Sequence, residues 1–319
     1  MNPAPIALFV YARPIETIKT LDSLGKNFLA SQSELFIFSD GAKGEKDLPK
    51  VKEVRTIIKN YSFPFKKVEI IEKEKNFGLA NSIISGVTEV FNYYERIIVM
   101  EEDLISAPNF LNFVNASLLK YENENKIFSV TGYTYQFNIK DNYKFDNYFL
   151  PRCESLGWGT WKNRWEKADW NVSDLKVFLS DKNKINDFSK IGFDLLGMLL
   201  KQQLGKVDSW AVRWCYTHFK NNALCSYPTI SKIVHIGEGG FATHVKRELK
   251  FLETKLDESN RIDFYLSSNY SINPDIFKQY KKLFNKKLIK SIRNFYLKLL
   301  LKKRLNQYSA VQNKLKPDQ

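Results

Sequence analysis

Over the first 130 residues, short apolar runs alternate with stretches in which apolar residues recur every three or four positions. The runs are Pro5 to Tyr11, Leu35 to Phe38, Val68 to Ile71, Arg96 to Leu104 and Ile127 to Gly132. All five read as strands, and the continuous run Ile97 to Met100 reads as one covered on both faces, as in a parallel sheet between two helical layers. The stretches between them predict helices. Ile18, Leu21, Leu24 and Phe28 follow Pro14, a residue suited to a first helical turn. Val51, Val54, Ile57 and Ile58 follow Asp47, placed as a cap. Two more helices are predicted from Asn76 to Phe91 and from Pro108 to Tyr121. Strict alternation of this kind is the mark of an α/β fold, a mostly parallel sheet with right-handed crossovers. Beyond residue 134 the pattern changes, and helices are expected at 158–168, 174–181, 194–205 and 209–221.

Composition fits a folded protein: 319 residues, 44% hydrophobic and 14% aromatic. The beginning of the sequence has no basic leader with a cleavable apolar segment, and no window is apolar enough to span a bilayer. Cys153, Cys215 and Cys225 lack metal-binding spacing, which suggests reduced thiols in a cytosolic protein. The net charge of +14 is local. Eleven Lys or Arg and no acid lie between Ile276 and Arg304, while the chain before them is near neutral. In that tail Phe277, Tyr280, Phe284, Leu288, Ile292, Phe295 and Leu299 recur at helical spacing among the basic residues. A basic amphipathic helix of this kind suits an anionic membrane surface. A coiled-coil or core-packing helix fits the same pattern, and nucleic-acid binding is a weaker third reading.

Candidate chemistry centres on Glu101-Glu102-Asp103, where the fourth apolar run ends. Open α/β sheets bind ligands beyond the carboxyl ends of their strands. Three adjacent carboxylates repel one another unless a cation neutralises them, and hard oxygen donors suit Mg²⁺ or Mn²⁺ shared with phosphates. A solvated acidic turn is the alternative. No G-x-G-x-x-G and no P-loop is present. All six tryptophans lie between Trp158 and Trp214, where they serve either a sugar cleft or the core.

Four segments, in order, resemble a known family: Phe9 to Pro14; Glu101 to Leu104 with Ala107-Pro108-Asn109-Phe110; Leu156-Gly157-Trp158; and Asp208-Ser209-Trp210 with Pro228 to Ser231 and the loop Gly237 to His244. The family is that of the inverting GT-A-fold glycosyltransferases. Its nearest representatives by these motifs are the Golgi N-acetylglucosaminyltransferases that start complex N-glycans, and bacterial relatives in surface-polysaccharide synthesis. The resemblance implies a GT-A (Rossmann-like) sheet flanked by helices, with a C-terminal basic amphipathic helix added here. It makes Asp103 the ligand of Mn²⁺ or Mg²⁺, with Glu101 and Glu102 beside it, Glu102 replacing the family's Asp. Tyr11 and Arg13 would meet uridine or phosphate, and Asp40 the base or ribose. Asn76 to Leu79 resembles the family's N-R-G-L turn, with Phe77 in place of arginine. Asn76 and Gly78 therefore join the donor-site candidates, as do Gly157, Trp158, Trp210 and His244. Asp208 matches the catalytic base; it also suits a cap for the helix starting near Ser209.

The implied organisation is a nucleotide-sugar half (residues 1–133), an acceptor and catalytic half (134–260) and a membrane-associating tail (261–319). The implied activity is transfer of a sugar, by family weight N-acetylglucosamine, from a UDP-sugar to a lipid-linked glycan of lipopolysaccharide or capsule. The expected place is the cytoplasmic face of a bacterial inner membrane, with no nucleic-acid partner. A nucleotidyltransferase and a catalytically silent membrane-bound sugar-binding protein are the alternatives.

Overall fold

The computed structural model describes residues 2–237 and 254–284. In the first part of the chain β1 (Ile6–Val10), β2 (Glu34–Ser39), β3 (Lys67–Glu72) and β4 (Arg96–Glu101) alternate with α1 (Pro14–Gly25), α2 (Leu48–Asn60) and α3 (Leu79–Val90). A short β5 (Leu104–Ser106), α4 (Phe110–Lys120) and β6 (Ile127–Thr131) follow. The second part adds β7 (Asn147–Leu150), β8 (Trp158–Trp161), α5 (Lys162–Trp165), α6 (Leu175–Ser180) and α7 (Lys182–Ile191). After these come α8 (Leu195–Gln203), α9 (Trp210–Lys220), β9 (Leu224–Pro228), β10 (Ile233–His235) and α10 (Pro274–Phe284).

Eight strands form one sheet in the order β3-β2-β1-β4-β8-β6-β9-β7. The β1–β2, β2–β3, β1–β4 and β6–β9 pairs are parallel; β8 runs antiparallel to β4 and β6, and β7 antiparallel to β9. The sheet is therefore mostly parallel and of Rossmann-like character, as the alternation predicts. Strands β1, β2 and β4 read as apolar runs because both of their faces are covered. Ile6, Leu8, Val10, Ile98 and Met100 face one core, with Leu21, Leu24, Val54, Ile58 and Val114. Ala7, Phe9, Ile97 and Val99 face the other, with Ile83, Val87, Leu199 and Trp214.

Several expectations are corrected. Trp158–Trp161 is a central strand rather than the start of a helix, and the helix there is confined to α5. Gly159 allows this close fit, since a Cβ on it would lie 2.9 Å from the Ile97 carbonyl oxygen. Trp158 and Trp161 face opposite cores, as alternation along a strand requires. Asp47 makes no capping bond to α2; it accepts the Tyr11 hydroxyl at 2.8 Å. In the tail, α10 buries Ile276, Tyr280 and Phe284, and the Tyr280 hydroxyl donates to the Ile191 carbonyl. As far as Phe284, the apolar face belongs to the core, as in the core-packing reading. Leu288 to Leu299 lie outside the described residues. No helix among the described residues is long and apolar enough to cross a membrane. The three cysteines are buried free thiols.

One buried side chain gives the fold a measurable acid response. His218 is fully enclosed between the Trp214 carbonyl (3.0 Å from Nδ1) and the Ser129 hydroxyl (2.9 Å from Nε2). Burial pushes its pKa down to about 3, against a weaker upward pull from the Trp214 carbonyl. The neutral ring is favoured only in the folded state. Its contribution is present above the ordinary histidine value near 6.5 and is lost as pH falls from there toward 3. Glu101 and Glu102, whose carboxyls are raised, work in the opposite direction over part of this range. A comparison of variants isolates the histidine. Between pH 6 and 5 the unfolding free energy of wild type from urea titration is expected to fall relative to that of His218→Gln, by up to about 1.4 kcal/mol per pH unit. Parallel pH profiles for the two proteins would refute this.

Candidate active site

The direction of the crossovers reverses once in the parallel half of the sheet. From β1 the chain steps to β2 and β3 on one side, then returns to place β4 on the other. The switch point lies between β1 and β4, where an α/β sheet opens a crevice beyond its strand ends. Arg13 follows β1, and Glu101 to Asp103 lie at the end of β4, so both predicted groups flank that crevice.

The acidic turn is held from two sides. Thr20 of α1 donates its hydroxyl to the Glu102 carbonyl at 2.6 Å and accepts the Leu104 amide at 3.2 Å. On the other side β10 pairs with β5, and the Ile236 amide donates to the Asp103 carbonyl at 2.9 Å. Arg13 Nη1 is bonded to Asp103 Oδ2, and His235 Nε2 lies 3.1 Å from the same oxygen. The backbone at Gly237 is so close that a Cβ there would sit 2.5 Å from Asp103 Oδ2 and 2.9 Å from Arg13 Nη1.

Electrostatics follow from this crowding. Burial pushes the Glu101 carboxyl up, and repulsion from Asp103 and Glu102 adds to it, giving about 8. For Glu102, burial and then Asp103 give about 7. Burial also acts upward on Asp103, but His235 and Arg13 outweigh it and hold this carboxyl below its ordinary value. Asp103 is therefore the acid of the three that stays charged. A cation brought beside its neighbours would favour their charged forms.

A second group forms where α3 begins. The Asp40 carboxylate accepts the amides of Gly41 and Phe77 at 3.0 Å and of Gly78 at 3.1 Å, together with the Asn76 side-chain amide at 3.1 Å. Asn76 also donates to the Gly41 carbonyl. Asp208 Oδ2 accepts the Ala80 amide at 3.1 Å, and a Cβ on Gly78 (φ +79°) would lie 2.8 Å from that oxygen. Two carboxylates thus meet the positive end of one helix. Ser209, not Asp208, caps α9, through the Val212 amide. Tyr11 donates to Asp47 and accepts the Lys43 amide at 2.8 Å.

The sequence-predicted candidates therefore form two polar groups, with Tyr11 apart from both on Asp47 and Lys43. Asp103, Arg13, Glu101 and Glu102 gather at the switch point; Asp40, Asn76, Gly78 and Asp208 gather at the start of α3. Trp158 and Trp210 belong to neither, which corrects their placement in a sugar cleft. They are 1% and 2% exposed and stack on each other at 4.8 Å, within a core that includes Trp165 and Trp214. Gly157 (φ +56°) is required by packing, since a Cβ on it would lie 2.6 Å from Ile233 Cγ1. His244 lies outside the described residues. The residue that sequence reasoning missed is His235, nine positions earlier. Its signal was its place at the end of an apolar pair, two residues before Gly237.

Among the described residues, no three His, Cys, Asp or Glu side chains are grouped to hold a metal unaided. The donor set nevertheless fits a divalent ion completed by substrate. Asp103 offers carboxylate and His235 imidazole at one point, a pairing suited to Mn²⁺ with phosphate oxygens in the other positions.

Fold and site together define a Rossmann-like α/β protein with an acidic crevice at its switch point. No family model matches the chain, and no curated protein matches it. One solved structure that is similar to part of it is the mannosyltransferase PcManGT from Pyrobaculum calidifontis, in complex with GDP-Man and Mn²⁺. The likeness has 13% identity, a TM-score of 0.33, and covers 50% of this chain and 47% of that one. The chain thus spans about half the length of that protein.

Proposed function

We propose that this chain is a metal-dependent inverting glycosyltransferase that moves a sugar from a nucleoside diphosphate sugar to a glycan acceptor. The observation that carries the reading is the charged Asp103 carboxylate at the switch point, with Arg13 and His235 on one of its oxygens. Bound at Asp103 and His235, Mn²⁺ or Mg²⁺ would offset the negative charge that develops on the departing diphosphate. Arg13 presents a planar, always-charged guanidinium suited to gripping the same phosphates. Asp208 takes the proton of the acceptor hydroxyl on the face opposite the leaving group. Motif resemblance supports the finer assignments: uridine in the donor, N-acetylglucosamine as its sugar, and a lipid-linked acceptor in lipopolysaccharide or capsule synthesis. Resemblance also supports residues 1–133 as the donor half and 134–260 as the acceptor half. Work at the cytoplasmic face of a bacterial inner membrane would draw on the eight Lys and Arg between Asn285 and Arg304.

The test is thermal unfolding with Mn²⁺, with nucleotides, and with both. Mn²⁺ together with UDP is expected to raise the midpoint by several degrees more than the two separate effects combined, as linked binding requires. EDTA should remove the gain. A panel of UDP-sugars and GDP-mannose then assigns the donor by transfer or slow hydrolysis. Failure of every nucleotide to stabilise the protein, with and without Mn²⁺, would reject the reading.

A further inference from the structure

We propose that Arg13 holds the cation's place on Asp103 until a nucleoside diphosphate arrives, so that metal binding is conditional on the donor. The inference rests on the reading of Asp103 as the metal ligand. Asp103 Oδ2 already meets Arg13 Nη1 and His235 Nε2, and the Gly237 backbone closes over the same oxygen. A divalent ion on that oxygen would compete with the guanidinium, because like charges at contact distance repel. In the free protein the guanidinium has good reason to stay. Asp103 is charged and nearly buried, and Arg13 is bonded directly to its Oδ2.

Arg13 is also built to leave. The Asp103 side chain is 9% exposed, whereas that of Arg13 is 36% exposed and reaches in from the first turn beyond β1. Released into the crevice, the guanidinium needs a new anion, and a diphosphate offers one with matching bidentate geometry. With Arg13 turned to the diphosphate, Asp103 and His235 would be left to hold the metal, and the diphosphate would be met by cation and guanidinium together. Because binding free energies are reciprocal, each ligand favours the other by the same factor. The consequence is unusual for a site residue. Removing Arg13 improves metal binding in the absence of nucleotide, although it weakens the site for the donor.

Mn²⁺ titrations read by electron paramagnetic resonance, with and without UDP, test this on the full-length protein. Wild type is expected to bind Mn²⁺ weakly alone and at least about ten-fold more tightly with UDP. Arg13→Gln is expected to bind Mn²⁺ alone at least about ten-fold more tightly than wild type alone, with a correspondingly smaller effect of UDP. Arg13→Lys keeps a competing positive charge and should stay near wild type. Thermal unfolding of all three proteins establishes that each is folded. The proposal is overturned if Arg13→Gln binds Mn²⁺ no more tightly than wild type in the absence of UDP. It is overturned equally if Arg13→Lys binds as tightly as Arg13→Gln. Absence of Mn²⁺ binding in all three, even with UDP, would remove the metal-ligand reading itself, a failure distinguishable from the first two.

Discussion

Asp103→Ala is expected to lower sugar transfer by at least about 10³-fold while leaving a folded protein. That factor corresponds to roughly 4 kcal/mol of barrier, within what a cation at a developing phosphate charge supplies. The fold should survive because the turn does not depend on this carboxylate. Its backbone is held by Thr20 and by the Ile236 amide. Removing Asp103 also relieves the repulsion that raises Glu101 and Glu102. The orphaned Arg13 is open enough to be solvated. The unfolding temperature should therefore stay within a few degrees of wild type or rise, and the extra stabilisation by Mn²⁺ with UDP should disappear. Turnover within ten-fold of wild type in a folded Asp103→Ala protein would contradict the metal role outright.

What the sequence revealed, and what it hid, divides along one physical line. Strands β1, β2, β4 and β6 were legible because both faces are covered by helices, so almost every position must be apolar and the run itself is the signal. Strands β7 and β9 are as buried, yet they carry Asn147 and Ser226, which satisfy each other: Asn147 donates to Ser226 Oγ at 2.8 Å and to the Tyr121 hydroxyl at 2.9 Å. Partners that far apart in the chain leave no local pattern. Trp158–Trp161 misled for a related reason. Its aromatic spacing suits a helix, and only the neighbours β4 and β6 make it a strand. The site divides in the same way. The acids stood out because they end an apolar run abruptly. His235 did not, because its partner Asp103 lies 132 positions away. Asp40 and Asn76 were recognisable as residues near the site, but their bonds to the start of α3 emerge only from the fold.

Asp208→Asn separates the two roles open to this carboxylate. If Asp208 is the base, the amide cannot take the acceptor's proton, and transfer should fall by about 10² to 10⁴-fold. Nucleotide and Mn²⁺ binding should be unchanged, so the loss appears in kcat rather than in donor affinity. The amide oxygen can still accept the Ala80 N–H that Asp208 Oδ2 accepts now, which keeps the start of α3 intact. If Asp208 serves only to cap α3, the outcome reverses: Asp208→Asn stays near wild type in rate, and Asp208→Ala loses about 1 kcal/mol of stability. Gly78 provides an independent check. A methyl group there would lie 2.8 Å from Asp208 Oδ2, on a backbone with φ +79° that L-residues rarely adopt. Gly78→Ala should therefore displace the carboxylate and slow transfer by about ten-fold or more, the scale on which small misplacements act. Adding Gly78→Ala to Asp208→Asn should cost little further rate, because the displaced group is already inert. Additive losses in the double variant would mean that Gly78 acts on the donor through some other contact.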